Sequence, residues 1–333
     1  MPDQWDEEHE RKNGRLESVM KKILIPQPVA KAGEKMLLDA GYKIIRSGTK
    51  VCELAEAVAD CDAILARICP YPSQVIQAGK KLRIIARHGA GFDNVDIQAA
   101  TRQDIWVTNV PDVTSVSVAE FTIGMILNGM RRISECHEEL SAGNYAYRYS
   151  HPGRDLFGKT LGIIGLGRIG QAVAQRAYFG FGMKILAYVP RQEGKTIPDY
   201  VKIVEKEELL ANSDVISIHV PGNESNRHLI GKRELKIMRA DSYLVNVSRG
   251  GVVDEAALAE TLHNGKIAGA ALDVWMDEPK LPADELLSCK NLFLTPHIGS
   301  GSAECMDRMA MEAAGEILRV LSGSEPKHPV NLL

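Results

Sequence analysis

The sequence lacks paired cysteines. Its six cysteines are scattered along 333 residues, and no two of them form a C-x-x-C motif. This spacing excludes a zinc site or a disulfide framework built on cysteine pairs, and it is typical of reduced thiols in the cytosol. We therefore predict a cytoplasmic protein without a bound metal.

Long apolar runs and a strong charge imbalance are absent as well. No apolar stretch approaches the roughly 18 residues that a membrane-spanning helix needs, and the net charge at pH 7 is only −3. Neither a membrane nor a nucleic acid is therefore expected as a partner. The first residues are dense in charge and contain no apolar stretch like that of a signal peptide. We interpret residues 1–19 as a mobile extension.

The chain is longer than one ordinary core requires, and its length indicates two domains of roughly 150 residues each. Short apolar runs alternate with helical stretches, as in parallel sheets that helices cover on both faces. The predicted strands are 23–25, 43–45, 63–66, 84–86, 107–108, 161–164, 185–188, 215–219, 243–247, 268–272 and 292–295, and the predicted helices are 30–40, 171–181, 205–212, 255–264 and 303–321. The fold class is therefore α/β.

Two helical segments divide this series into domains. Residues 112–142 carry apolar side chains at helical spacing, so we predict one long helix that leads from a first domain into a second. The helix at 303–321 follows the last strand and is expected to pack back on the first domain. This gives a discontinuous domain of residues 20–115 and 297–333 and a second domain of residues 116–296, with a cleft between them.

A G-x-G-x-x-G motif follows the predicted strand 161–164 and opens the next helix. In that context each glycine has a task. Gly165 makes the tight turn, Gly167 lets the backbone approach a pyrophosphate, and Gly170 lets the helix pack on the strand. The pyrophosphate would bind free amides at the helix N-terminus. The motif predicts a dinucleotide site, and a plain tight turn is the alternative.

The end of the following strand bears on the choice of cofactor. An NAD-binding unit places an acid there, about 20 residues after the motif, to bond the ribose 2′-hydroxyl. Here the strand ends in Val189-Pro190-Arg191, with no acid. A guanidinium can pair with a 2′-phosphate that a carboxylate would repel. The sequence therefore favours NADP over NAD, unless Arg191 faces solvent and the specificity is relaxed.

Three polar residues, Arg249, Glu278 and His297, each follow one of the last three predicted strands. In an open α/β sheet the carboxyl ends of the strands form the ligand crevice. Each residue alone has an ordinary explanation, as a surface charge, a turn residue or a cap. Together, on the edge that carries a dinucleotide motif, they favour an active site.

Residues 158–302 resemble the D-isomer-specific 2-hydroxyacid dehydrogenases, most closely in the segments 158–170, 246–255, 268–279 and 296–300. The resemblance implies two doubly wound parallel-sheet domains, a Rossmann nucleotide-binding domain and a flavodoxin-like substrate domain. It also implies an NAD(P)-dependent oxidoreductase that interconverts a small 2-keto acid and a D-2-hydroxy acid, of the hydroxypyruvate, glyoxylate or 3-phosphoglycerate type. In that family the Arg, Glu and His of these motifs are catalytic, which corresponds to Arg249, Glu278 and His297. A non-catalytic, dinucleotide-sensing protein of the corepressor type is the alternative, because it could keep all three.

The chemistry of the reaction agrees with these positions. Reduction of a 2-keto acid needs a cation that holds the carboxylate and polarises the carbonyl, and Arg249 offers a charged bidentate fork. It also needs a proton for the oxygen, which a histidine such as His297 can supply near neutral pH. Glu278 would hold the imidazole and favour its protonated form.

The resemblance also implies contacts with substrate and cofactor. The stretch 87–96 resembles the substrate loop of the family, in which amides near His88 and Gly89 bind the carboxylate, with Arg87 or Arg67 as further anion contacts. Arg67 resembles a position of the phosphoglycerate dehydrogenase branch, and a structural ion pair is its alternative role. Asp273 is expected at the nicotinamide amide. The full set of expected cofactor contacts is Ala90, Gly165, Gly167, Arg168, Ile169, Gly170, Val189, Arg191, Val220, Pro221, Val247, Ser248, Arg249, Asp273, His297 and Gly299.

The sequence departs from the pattern of the family at two points, and it also predicts a subunit interface. Val189 replaces the acid of NAD-dependent members, and control by the regulatory extension of longer phosphoglycerate dehydrogenases is not expected. The resemblance and the aromatic-rich segment 143–157 predict a homodimer, joined through the second domain and the helix around 117–140. The aromatic residues could equally cover the junction between the chain's own domains.

Overall fold

The computed structural model describes residues 20–189 and 196–333, which form two compact units. The first contains the described residues up to Val110 together with Asp307–Leu333, and the second is Pro111–Met306. These borders differ from those of the sequence analysis because the connecting segments bond to each other within the second unit. The hydroxyls of Ser117 and Ser302, for example, lie 3.0 Å apart. The expected extension at residues 1–19 lies outside the described residues.

Twelve strands and twelve α-helices are defined in the part of the chain that the structure describes. The strands are β1 Lys22–Leu24, β2 Lys43–Ile45, β3 Ala63–Ala66, β4 Ile84–Arg87, β5 Trp106–Thr108, β6 Thr160–Ile164, β7 Lys184–Tyr188, β8 Val201–Ile203, β9 Val215–Ile218, β10 Tyr243–Asn246, β11 Gly269–Leu272 and β12 Leu292–Leu294. The helices are α1 Lys31–Asp39, α2 Val51–Val58, α3 Ser73–Ala78, α4 Ile97–Thr101, α5 Ser115–Arg131, α6 Ile133–Ser141, α7 Arg168–Phe181, α8 Lys206–Asn212, α9 Lys232–Ile237, α10 Glu255–His263, α11 Asp284–Leu287 and α12 Ala303–Leu321. None of these helices has the length and apolar character that a bilayer crossing requires.

The first unit is built on a five-stranded parallel sheet. Its strand order is β2-β1-β3-β4-β5, the order of flavodoxin-like folds. All residues of β3 and β4 are buried, as expected for strands that helices cover on both faces. The last helix, α12, packs tightly on α1, where a Cβ on Gly33 would lie 2.5 Å from the carbonyl oxygen of Ala310.

The second unit is built on a seven-stranded parallel sheet with the order β12-β11-β10-β9-β6-β7-β8. Counted within the unit, β6 is the first strand, so the order is that of the Rossmann fold with one further strand. The direction of the strand order reverses between β6 and β9, which pair in register. Ligands of such sheets bind outside the carboxyl ends of the strands at that point. Both sheets confirm the predicted α/β class.

The predicted single helix over residues 112–142 is wrong at Arg132. This residue has a φ of 54° and separates α5 from α6. Side chains hold the break in place. The amide and hydroxyl of Ser134 both donate to Oδ1 of Asn128 at 2.9 Å, and the Arg132 guanidinium pairs with Glu135 at 2.8 Å.

Candidate active site

The three glycines of the G-x-G-x-x-G motif occupy distinct environments at the end of β6. Gly165 has a φ of 95°, and a Cβ there would lie 2.7 Å from the carbonyl oxygen of His219. A Cβ on Gly170 would lie 2.2 Å from the carbonyl oxygen of Gly165, so the helix can approach the turn only without a side chain. Gly167 faces open space and caps α7. The turn therefore fits a dinucleotide pyrophosphate, which would bind the first amides of α7.

The end of β7, next to this turn, carries no acid at its last described position. Val189 is 4% exposed and packs in the apolar cluster of the unit. A valine can neither accept a hydrogen bond from a 2′-hydroxyl nor repel a 2′-phosphate. Arg191 lies outside the described residues.

His297 and Glu278 form a hydrogen-bonded pair. Nδ1 of His297 lies 2.7 Å from Oε2 of Glu278, and Oε1 of Glu278 accepts the Trp275 amide at 2.9 Å. Because a carboxylate only accepts, Nδ1 of the imidazole donates, and Nε2 is the nitrogen that can exchange a proton with a ligand. His297 has a φ of 52°, a conformation that the surrounding loop must maintain.

Asp273 maintains the loop that carries His297. Its Oδ1 accepts the Thr295 hydroxyl at 2.6 Å and the Ile298 amide at 2.9 Å, and its Oδ2 accepts the Gly299 amide at 2.8 Å. Burial raises the pKa of Asp273, against these hydrogen bonds, which lower it. The contact with the nicotinamide amide stays a prediction, because the carboxylate already binds this loop.

Arg249 follows β10 in a turn that Asn246 organises. Oδ1 of Asn246 accepts the amide and the hydroxyl of Ser248 at 3.0 and 2.8 Å, and its Nδ2 donates to the Arg249 carbonyl at 2.9 Å. The guanidinium donates from Nη1 to the Ser248 carbonyl at 2.8 Å. The stem of Arg249 lies against Gly222, where a Cβ would come within 2.6 Å of its Cγ.

Backbone hydrogen bonds join the loops after β10, β11 and β12. The Asp273 amide donates to the Asn246 carbonyl at 3.0 Å, and the His297 amide donates to the Asp273 carbonyl at 2.9 Å. The three predicted catalytic residues therefore follow neighbouring strands at one edge of the sheet, the edge that carries the glycine motif.

The remaining predicted cofactor residues of the second unit lie at the same edge. Arg168 and Ile169 begin α7, and the Arg168 guanidinium lies 2.5 Å from the carboxylate of Asp112. The others lie in the segments that follow β9, β10 and β12: Val220, Pro221, Val247, Ser248 and Gly299. Within the described residues, no group of three or more His, Cys, Asp or Glu side chains is arranged to hold a metal ion.

The loop after β4 in the first unit is built around Arg87. Arg87 is 8% exposed, and its guanidinium donates to three carbonyls, those of Ala66, Arg67 and Gly91. The His88 amide donates to the Ala66 carbonyl at 2.8 Å, which continues the ladder between β3 and β4. Arg87 and His88 thus support the loop.

The other residues expected at the substrate lie next in this loop and after β3. Gly89 has a φ of 146°, and its carbonyl accepts the Val110 amide at 3.0 Å. The Ala90 carbonyl accepts Nδ2 of Asn109 at 2.7 Å. Arg67, after β3, is half-buried and donates to the Pro28 carbonyl at 2.8 Å. Both loops follow neighbouring parallel strands at the carboxyl edge of their sheet.

Residues 123–299 match the family model described as D-isomer specific 2-hydroxyacid dehydrogenase, NAD binding domain. The chain belongs to this family. It is 42% identical to a glyoxylate reductase of Korarchaeum cryptofilum, over 84% of this chain and 85% of that protein. It is 39% identical to a D-3-phosphoglycerate dehydrogenase of Methanocaldococcus jannaschii, over 94% of this chain but 60% of that protein. The structure of an NADPH-dependent glyoxylate/hydroxypyruvate reductase from Sinorhizobium meliloti aligns with a TM-score of 0.83 and 30% identity, over 93% of this chain and 97% of that one.

Membership of the 2-hydroxyacid dehydrogenase family confirms the predicted resemblance and the predicted reaction class. The chain is an NAD(P)-dependent oxidoreductase of 2-hydroxy acids. The relatives named here are all reductases or dehydrogenases, so the corepressor-type alternative gains no support from them.

Sequence reasoning missed two residues that shape this site in the dehydrogenase, Asn246 and Gly222. Asn246 is fully buried at the end of a strand that is otherwise apolar. A polar residue in that position is the signal that could have identified it, because buried amides need hydrogen-bond partners. Gly222 gives no such signal, since its role depends on contact with Arg249, which is distant in sequence.

Proposed function

We propose that this dehydrogenase reduces short 2-keto acids of the glyoxylate and hydroxypyruvate type, with NADPH as the preferred reductant. The observation that carries the proposal is the 2.7 Å pair of His297 and Glu278 at the edge of the sheet that bears the glycine motif. Named relatives that act on glyoxylate and hydroxypyruvate support the substrate class. The end of β7 supports the cofactor preference.

Each of the three polar residues has a role in this reaction. The nicotinamide, when bound, supplies the hydride. Arg249 binds the carboxylate of the keto acid and polarises its carbonyl. His297 donates a proton from Nε2 to the carbonyl oxygen and removes it in the reverse direction. Glu278 accepts the hydrogen bond from Nδ1 and so orients the imidazole.

Turnover with a panel of keto acids tests the substrate class. We expect kcat/KM to be higher for glyoxylate and hydroxypyruvate than for 3-phosphohydroxypyruvate, the keto acid of the phosphoglycerate dehydrogenase reaction. The reverse order would favour that reaction, with Arg67 as the first candidate for the phosphate contact. No turnover with any of the three would count against an enzymatic function.

The cofactor preference should follow the residues at the end of β7. A charge-assisted contact with a 2′-phosphate contributes roughly 1.5–3 kcal/mol, so kcat/KM with NADPH should exceed that with NADH about 10- to 100-fold. The double variant Val189→Asp with Arg191→Ala should reverse this order. Because Val189 is buried, Arg191→Ala alone is the control for folding, and it should reduce the preference without reversing it. Equal use of both cofactors by the wild type would contradict the proposal.

We also propose a homodimer joined through α6 and the residues that follow it. Ile133 and Leu140 lie seven residues apart on one face of α6, and they are 56% and 57% exposed. None of the nine residues of α6 is buried. In the turn that follows, Tyr145 and Tyr149 are also exposed. An exposed apolar helix face is stabilised when another surface buries it, and aromatic side chains are enriched at protein interfaces.

Light scattering tests this interface. Two chains of 36.5 kDa should give a mass of about 73 kDa at micromolar concentration. The double variant Ile133→Asp with Leu140→Asp should give the monomer mass. Leu332→Asp, at an exposed residue of the first unit, is the matched control and should stay dimeric. A monomeric wild type would exclude the dimer.

A cytoplasmic location is the last part of the proposal. All six cysteines are free thiols, including four that are buried. Reduced cysteines are the rule in the cytosol, whereas secreted proteins form disulfides. Thiol titration of the denatured protein, isolated under conditions that block disulfide exchange, should find six reactive thiols.

A further inference from the structure

The turn that carries Glu278 is fixed by a second carboxylate. Glu255, the first residue of α10, accepts the Met276 amide at 2.6 Å. Glu278 itself accepts the neighbouring amide, that of Trp275, at 2.9 Å. Two consecutive amides of this turn therefore bind two different carboxylates, of which one lies 2.7 Å from His297.

The same turn packs directly against the turn of Arg249. A Cβ on Gly250 would lie 2.0 Å from the carbonyl carbon of Trp275 and 2.4 Å from the Met276 nitrogen. Glu255 follows this glycine by five residues, on the same connection between β10 and α10. A displacement of the Met276 amide would therefore shift two neighbouring segments, the turn that carries Glu278 and the turn that carries Arg249.

The charges around Glu255 oppose its ionisation. Burial raises the pKa of this carboxyl, and the nearby carboxylates of Asp277 and Glu278 raise it further. The bond from the Met276 amide lowers it, as does the imidazole of His228. A third acid beside two others has an electrostatic cost, and the Met276 hydrogen bond is the larger of the two interactions that offset it.

We propose that Glu255 is a positioning residue for Glu278. By binding the Met276 amide, Glu255 fixes the turn, and the turn directs the carboxylate of Glu278 at His297. This inference rests on the proposed function, in which the pair of Glu278 and His297 moves the proton. The alternative is that Glu255 only stabilises the start of α10.

Two variants of similar size separate these roles. Glu255→Gln removes the charge but keeps an oxygen that can accept the Met276 amide, whereas Glu255→Met removes both. Because both variants lack the charge, the difference between them reports the hydrogen bond alone. Glu260→Gln is the matched control on the same helix, where Glu260 forms an exposed ion pair with Lys232.

We expect Glu255→Met to lower kcat for keto-acid reduction about 10- to 100-fold, since small displacements of a catalytic pair have effects of this size. Glu255→Gln should stay within about threefold of the wild type, with KM for the keto acid and Kd for NADPH little changed in both.

Two results would overturn the inference. One is equal kcat for Glu255→Met and Glu255→Gln. The other is a loss of activity in Glu255→Met that parallels a loss of thermal stability and of cofactor affinity, which would show a structural role only. Failure of the proposed function is a separate outcome, because it would appear as wild-type kcat in Glu278→Gln and His297→Asn.

Discussion

Replacement of His297 by asparagine should lower kcat for keto-acid reduction about 10²- to 10⁴-fold, the range that general acid–base catalysis contributes. Nδ1 of His297 donates to Glu278, so Nε2 is the nitrogen that can give a proton to the substrate oxygen. Asparagine can still donate a hydrogen bond to Glu278 and so preserve the loop. It cannot exchange a proton near neutral pH, so the chemical step should be lost while the site keeps its shape.

Steady-state kinetics between pH 5 and 9, with a fluorescence titration of NADPH, would measure both parts of this expectation. The Kd for NADPH should stay close to that of the wild type, because the substitution leaves unchanged the glycine turn and the first amides of α7, which would bind the pyrophosphate. His137→Asn, at an exposed position on α6, is the matched control and should leave kcat unchanged. A His297→Asn variant with wild-type kcat at neutral pH would show that another group is the acid.

The core of the fold could be predicted because its strands are buried on both faces. β3 is an uninterrupted apolar run, and it was predicted with the bounds that the structure gives it. β8 was missed, since its three residues at the sheet edge include Lys202, which points to solvent and pairs with Glu208. The short helices α9 and α11, of six and four residues, show too few turns for a helical period to be visible.

The break between α5 and α6 could not be predicted for a different reason. Apolar residues keep their helical spacing across it, so periodicity alone continues the helix. The break depends on side-chain bonds, such as those from Ser134 to Asn128, and on the left-handed backbone of Arg132. Neither feature changes the spacing of the apolar residues, from which the helix was predicted.

The candidate site, like the fold, contains residues that could be predicted from the sequence and residues that could not. Arg249, Glu278 and His297 could be placed at one edge because the ends of parallel strands meet there. The side chains that hold these three residues in place could not be predicted, since the hydrogen bonds they form join distant parts of the chain. Asp273 binds the Gly299 amide across 26 positions and Glu255 binds the Met276 amide across 21. Pairings of this length become visible only in the folded chain.

Replacement of Arg249 by lysine should lower kcat/KM for the keto acid about 100-fold, although the charge is kept. The guanidinium is a planar fork that can bind a carboxylate through two parallel hydrogen bonds, whereas an ammonium is a point charge on a flexible stem. Charge-assisted hydrogen bonds contribute about 1.5–3 kcal/mol, and a tenfold change in rate corresponds to about 1.4 kcal/mol. Lysine also lacks the Nη1 group that donates to the Ser248 carbonyl and so sets the direction of the side chain.

The packing of Arg249 supplies a second test that leaves the guanidinium in place. A Cβ on Gly222 would lie 2.6 Å from Cγ of Arg249, so Gly222→Ala should displace the stem and reproduce part of the loss in kcat/KM. Arg233→Lys, at an exposed ion pair with Glu207 on another surface, is the control for the chemical change itself. Both kcat/KM for the keto acid and Kd for NADPH should be unchanged in Arg233→Lys. If Arg249→Lys and Gly222→Ala both kept the wild-type kcat/KM, the carboxylate would bind elsewhere. Arg67 would then be the next candidate, because the guanidinium of Arg87 already donates to the carbonyls of Ala66, Arg67 and Gly91.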